Sequence, residues 1–346
     1  MKTRILVFLL MSMILFGAAA AADTLTLTFV GDASIGDAIS SRGHQNSFHS
    51  VVLEKGMDWP FSLVKDTLLA DDLTVANLEG SITTRKKHKD IRYPLVIAPE
   101  FTDILKAGGI DVVNTANNHA LDFLAEGYQD TLEHLDTADI GHFGTLSPPG
   151  KTGVNRQLVV ERKGVRIGFI GFTYPQDSDL KHIQAAAEQL RGEGCGIIVL
   201  SLHWGRETHM TPSGAQYSFA KKALEYDVDL IYGHHPHVIQ PIALYQGKPV
   251  LFSTGNFTFG TMSSVDRSTG MFQLSYGLDG EKPRLSAICV IPCFTSGSGD
   301  YRPAPVVEAE QRSEIFAKLS FRKPTQGFEP LGKDFLESGE VFFQKE

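Results

Sequence analysis

The sequence predicts an α/β sandwich built on a mixed β-sheet, and three observations carry that expectation. Between residues 25 and 232, short apolar runs of strand character alternate with segments of helical spacing. From residue 238 onward the helical signal fades and apolar runs separated by turns continue alone, as in a β meander. Polar residues of metal-ligand type follow the apolar runs directly, which in an open α/β sheet gathers them along one edge.

Residues 25–30 read as the first strand, ending in Gly31-Asp32. Residues 61–69 have helical spacing and lead to a strand over 73–78 that ends at Glu79. A helix over 101–106 stops at Gly108-Gly109, and the strand 111–115 ends at Asn117-Asn118-His119. A helix over 124–135 precedes a hairpin over 157–173 that turns at Lys163-Gly164. A helix over 180–190 is followed by a fully apolar strand over 196–202 that runs into His203-Trp204-Gly205. A helix over 216–225 follows Pro212, and a strand over 229–232 runs into Gly233-His234-His235-Pro236-His237. The β-only part has runs at 238–245, 249–253, 270–276 and 285–290; residues 295–305, rich in Gly, Ser and Pro, read as a loop.

The first 22 residues stand apart. Lys2 and Arg4 precede an almost unbroken apolar run over 5–16 and a small-residue stretch over 17–22, the order of a secretory leader with a cleavage site near residues 20–22. An uncleaved membrane anchor is the alternative, since residues 5–22 approach the roughly 20 needed to span a bilayer. The expected location is exported, periplasmic or associated with the cell envelope. Residues 23–280 are expected to form the main domain and residues 281–346 a small β and irregular C-terminal extension. The formal net charge is −8, more negative still without the leader, which argues against nucleic acid as a partner. Three cysteines are too few for a disulfide framework. Cys289 and Cys293, four apart in one apolar run, would be too far apart to bridge directly if that run is a strand, because bridged Cα atoms lie within about 7 Å.

Each cluster has a bland reading. Asp32 can close a turn, Asn117-Asn118 can start the next helix, and His203-Trp204 can be a satisfied interior pair. The histidine run is harder to dismiss: in an extended segment His235 and His237 point the same way, and a His-x-His pair suits a borderline divalent metal. Five of the twelve histidines fall in three of these strand ends.

Phe29-Val30-Gly31-Asp32, Ala76-Asn77-Leu78-Glu79-Gly80, Asn117-Asn118-His119 with Asp122, His203-Trp204-Gly205, Gly233-His234-His235-Pro236-His237-Val238 and Ser253-Thr254-Gly255-Asn256-Phe257 together resemble the capsule-synthesis CapA family, over roughly residues 24–275. Members of that family are associated with making or exporting poly-γ-glutamate. The family is in turn similar to the calcineurin-like metallophosphoesterases, which implies a four-layer αββα sandwich and a two-metal site. Position by position, the resemblance implies metal ligands at Asp32, Glu79, Asn118, His203, His235 and His237, with His119 steadying a leaving group or developing charge. Asn117, Asn256 and His234 are expected to contact substrate. The metallophosphoesterases carry Asp where Glu79 stands, and His where Ser34 stands. The set Glu79, Asn118, His203 and His235 is therefore complete, whereas Asp32 with His237 is one ligand short.

The sequence is compatible with three functions. One is a metal-dependent hydrolase or transferase, using Mn, Fe, Zn or Mg, that acts on a secreted acidic polymer or a phosphoester. Another is a non-catalytic accessory that grips the polymer or a membrane protein of capsule export. Arg85-Lys86-Lys87-His88-Lys89 reads either as a solvated loop or as a cationic strip that guides a polyanion. A phosphatase or nucleotidase unconnected with capsule is a third possibility.

Overall fold

The computed structural model describes residues 24–146, 155–259, 266–297, 299–321 and 323–343; the leader lies outside these residues. Among the described residues no helix is long and apolar enough to cross a membrane.

Strands Gly141–Thr145, Val112–Asn114, Leu73–Leu78 and Thr24–Ala33 run parallel in that order. Strands Ser268–Gly277 and Arg284–Thr295 extend this sheet antiparallel. The second sheet has Val165–Thr173, Ile197–His203, Leu230–His234 and Lys248–Thr254 in parallel. Its antiparallel edges are Leu158–Arg162 and Ile239–Tyr245. The hairpin turns where expected, with Lys163 and Gly164 both at positive φ, as a two-residue turn requires. The two sheets join where Thr145 pairs with Phe172.

Side-chain alternation along the strands builds four layers. Leu25, Leu27, Phe29 and Val75 of the first sheet meet Ile167, Phe169, Ile197, Val199 and Tyr232 of the second in one buried core. The opposite parity of the first sheet, Val30, Ala33 and Ala76, packs on Phe48, Val52, Leu68, Ile104 and Leu135 from the helices. That of the second, Ile170, Phe172, Ile198, Leu200 and Ile231, packs on Ile183, Ala187, Tyr217 and Ala223. The order is helix, sheet, sheet, helix, as the metallophosphoesterase resemblance implies.

Three local expectations differ. The helical run at 61–69 shrinks to Lys65–Leu68, and the helix Phe48–Lys55, N-capped by Ser47, was not foreseen. Residues 281–346 are not only β and irregular: helices Ala309–Lys318 and Lys333–Ser338 place Ile315, Phe316, Leu319 and Phe335 in the core between the sheets. Cys289 and Cys293 are free, spaced four apart along one strand.

Candidate metal centre

Parallel strands of both sheets deliver their carboxyl ends to one edge. Asp32 lies next to Asn77 across the first sheet, and His203 next to His234 across the second. Tyr232 fastens the sheets just below, its hydroxyl donating to Val30 O. Close backbone packing also fixes this edge: a Cβ on Gly31 would meet Gly255 O at 2.1 Å, and one on Gly233 would meet Phe252 O at 2.2 Å.

The histidine segment is not extended. His235 and His237 both have positive φ, 97° and 57°, a conformation that costs free energy outside glycine and persists where surroundings enforce it. These twisted residues bring His237 to the carboxylates. Donor atoms of Asp32, Glu79 and His237 lie within 4.8 Å of one another, all three residues buried. Asp32 Oδ1 accepts from Asn77 Nδ2 at 2.9 Å, and Asp32 Oδ2 lies 3.4 Å from His237 Nδ1. His237 Nδ1 also donates to Asn256 Oδ1 at 2.9 Å, while its Nε2 lies 3.9 Å from Glu79 Oε1. Both Glu79 carboxylate oxygens are buried and have no hydrogen-bond partner among the described residues.

Two buried carboxylates demand positive charge nearby. Burial pushes Glu79 up to about 7, the Asp32 charge adding to it while His237 and His119 restrain it. Burial alone would strip the proton from His237, but the charges of Glu79 and Asp32 and the bonds to Asp32 and Asn256 outweigh it, to about 10. The same partnership holds Asp32 below its usual range against its own burial.

The second expected set is arranged differently. His203 Nε2 donates to Asn118 Oδ1 at 2.8 Å, so these two side chains bond each other. The rings of His203 and His235 lie tilted against each other with centroids 4.8 Å apart, and Tyr174, exposed just past the end of its strand, reaches His235 Nε2 at 3.2 Å. His235 Nδ1 is buried and has no hydrogen-bond partner among the described residues. Burial and crowding by like neighbours push His203 far down and His235 down to about 4, so both rings are neutral.

His119 Nδ1 donates to Asp122 Oδ2 at 2.7 Å, which turns Nε2 toward Glu79 Oε1, 3.8 Å away. Burial opposes a proton on His119; the Asp122 bond and the Glu79 charge overcome it and raise its pKa.

The residues expected to contact substrate are spent otherwise. Asn117 donates to Leu78 O at 2.7 Å and accepts from His119 N at 3.1 Å, holding the strand end. His234 is fully buried with Nε2 at 2.6 Å from Ser201 Oγ. Asn256 turns to His237. Two residues that sequence reasoning did not assign belong here. Asp122 orients His119 from three residues on, a spacing readable in the sequence. Glu207, four residues beyond His203, brings a carboxylate within 4.8 Å of donor atoms of His235 and His237.

Residues 26–261 match the family described as bacterial capsule synthesis protein PGA_cap. The chain belongs to that family. Among its capsule-synthesis relatives is the PGA biosynthesis protein CapA of Bacillus subtilis (strain 168), 30% identical over 72% of this chain and 67% of the relative. The capsule biosynthesis protein CapA of Bacillus anthracis is 27% identical over 86% and 73%. Of solved structures, a hypothetical protein from Thermus thermophilus overlays with a TM-score of 0.49 at 15% identity, covering 78% of this chain and 98% of that one. The Haemophilus influenzae NAD nucleotidase overlays at 0.44 and 13%, covering 85% and 62%.

Proposed function

We propose that this chain serves capsule or poly-γ-glutamate synthesis outside the cytoplasm, as a metal-dependent hydrolase or transferase acting on an acidic polymer or a phosphoester. Membership of the capsule-synthesis family and the leader pattern support the setting. Glu79 carries the catalytic part: a fully buried carboxylate whose two oxygens have no hydrogen-bond partner among the described residues is costly unless a cation compensates it. Carboxylate oxygens beside imidazole nitrogens suit Mn, Fe, Zn or Mg. Asp32, Glu79 and His237 would hold the ion, with Asn118, His203 and His235 beside them. Such an ion supplies Lewis acidity and lowers the pKa of a bound water.

The chain's own residues supply the rest. Asp122 holds His119 so that Nε2 faces the site, and the raised pKa keeps a proton there for a leaving group. A cleft of about 520 Å³ beside His235 is lined by Tyr174, Gln176, Asp177, Trp204, Arg206 and Gln216; Asp177 is paired with Lys222, and the exposed Arg206 suits an anionic substrate.

Metal-replete protein is assayed on phosphoesters and on poly-γ-glutamate. The expected result is turnover that His119→Ala lowers by on the order of 10²–10⁴. Replete protein inert on both substrates overturns the catalytic reading and leaves a non-catalytic accessory role.

A further inference from the structure

We propose that Glu207 is a metal ligand that closes, beside His235 and His237, the solvent side of the divalent-cation centre. The inference rests on the metal-dependent reading and adds a ligand borne by a loop rather than by a strand end.

Glu207 follows the strand Ile197–His203 through the turn at Gly205, whose φ is +87°. The side chain is exposed, but its backbone is tied down. Thr208 N donates to Pro236 O at 2.8 Å, fixing the loop against the residue between His235 and His237. Gln240 Nε2 donates to His209 O at 2.7 Å, and His209 Nδ1 lies 2.9 Å from Glu207 O. The loop and the histidine segment are thus bonded to each other, and the Glu207 carboxylate stands within 4.8 Å of donor atoms of both histidines.

A separate observation points to a ligand. His235 is buried, and its Nδ1 has no partner among the described residues, although an imidazole nitrogen left so is costly. An oxygen and two ring nitrogens in such proximity form a donor set for a borderline divalent ion. His237 belongs to this group and to the group with Asp32 and Glu79, and with Nδ1 bonded to Asn256 its one free nitrogen serves a single ion, so the two groups surround one position. Glu207 is the member that reaches solvent, which leaves this position open on the side where a substrate oxygen arrives.

The test is calorimetric titration of the chelator-stripped full chain with Mn²⁺, with Glu207→Gln, Glu79→Gln and, as a remote exposed control, Glu225→Gln. Glu207→Gln is expected to weaken manganese binding on the order of ten- to a hundred-fold, with thermal unfolding of the stripped protein unchanged. Glu225→Gln should bind as the unsubstituted chain does. Unchanged affinity and stoichiometry in Glu207→Gln, with Glu79→Gln still impaired, overturns the Glu207 assignment alone. An unsubstituted chain that takes up no Mn²⁺ overturns both this assignment and the metal-dependent reading.

Discussion

Asn256 Oδ1 accepts from His237 Nδ1 at 2.9 Å, and this contact decides which nitrogen of the ring faces Glu79. An oxygen can only accept, so Nδ1 carries the proton and Nε2 is left for the carboxylate side. Asn256→Ala is therefore expected to cost on the order of ten- to a hundred-fold in divalent-cation affinity while leaving the fold intact. Calorimetric titration checks this, and an unchanged affinity would show that Asp32 alone sets the ring.

His119 depends on Asp122 in the same way. Since burial lowers the His119 pKa and the Asp122 bond raises it, Asp122→Asn should move the His119 limb of the pH–rate profile to lower pH. Turnover should fall by on the order of 10². A limb that stays in place would separate His119 from the titration.

How much of this was legible follows from the kind of contact involved. Strand ends are readable because apolar runs stop abruptly, and that brought Asp32, Glu79, Asn118, His119, His203 and His235 to one edge. The twist of the histidine segment was not readable: an extended reading was natural, yet the backbone there is left-handed at His235 and His237. The tasks of Asn117 and His234 depend on partners at Leu78 and Ser201, which no local pattern names. Glu207 joins through a bond between two loops, Thr208 to Pro236, and such pairings leave no periodic trace. The C-terminal helices were missed because their apolar residues are few and are buried only by distant strands.

Gly31 sits where a β-carbon would meet Gly255 O at 2.1 Å, beside the bond from Asp32 N to Gly255 O. Gly31→Ala should destabilise the chain by about 1–3 kcal/mol through overpacking. At roughly 2–4 °C per kcal/mol the loss is visible in a thermal melt. An unchanged melting temperature would show that the two sheet edges have room to part.

Metal removal should change the sign of the pH dependence. In chelator-stripped protein His237 keeps its proton up to about 10, above its ordinary value of 6.5, so its contribution is fully present at low pH and is lost as pH rises through that range. Glu79, raised to about 7, acts in the same direction at lower pH. Between about pH 7 and 8.5 the stripped chain should lose stability, by up to about 1.4 kcal/mol per pH unit from His237. With excess Mn²⁺ the trend should reverse, because protons compete with the cation for His237 and Glu79. Thermal melts at several pH values, with and without Mn²⁺, measure both slopes; parallel slopes would contradict the shared site.

Asp32, Glu79 and His237, whose donor atoms lie within 4.8 Å of one another, are expected to hold a divalent cation together. Anomalous diffraction at the manganese edge, from crystals of the Mn²⁺-loaded chain, tests it most directly. The predicted result is an anomalous peak in contact with donor atoms of all three residues. Loaded crystals with no peak there, or with manganese bound only elsewhere, would contradict it.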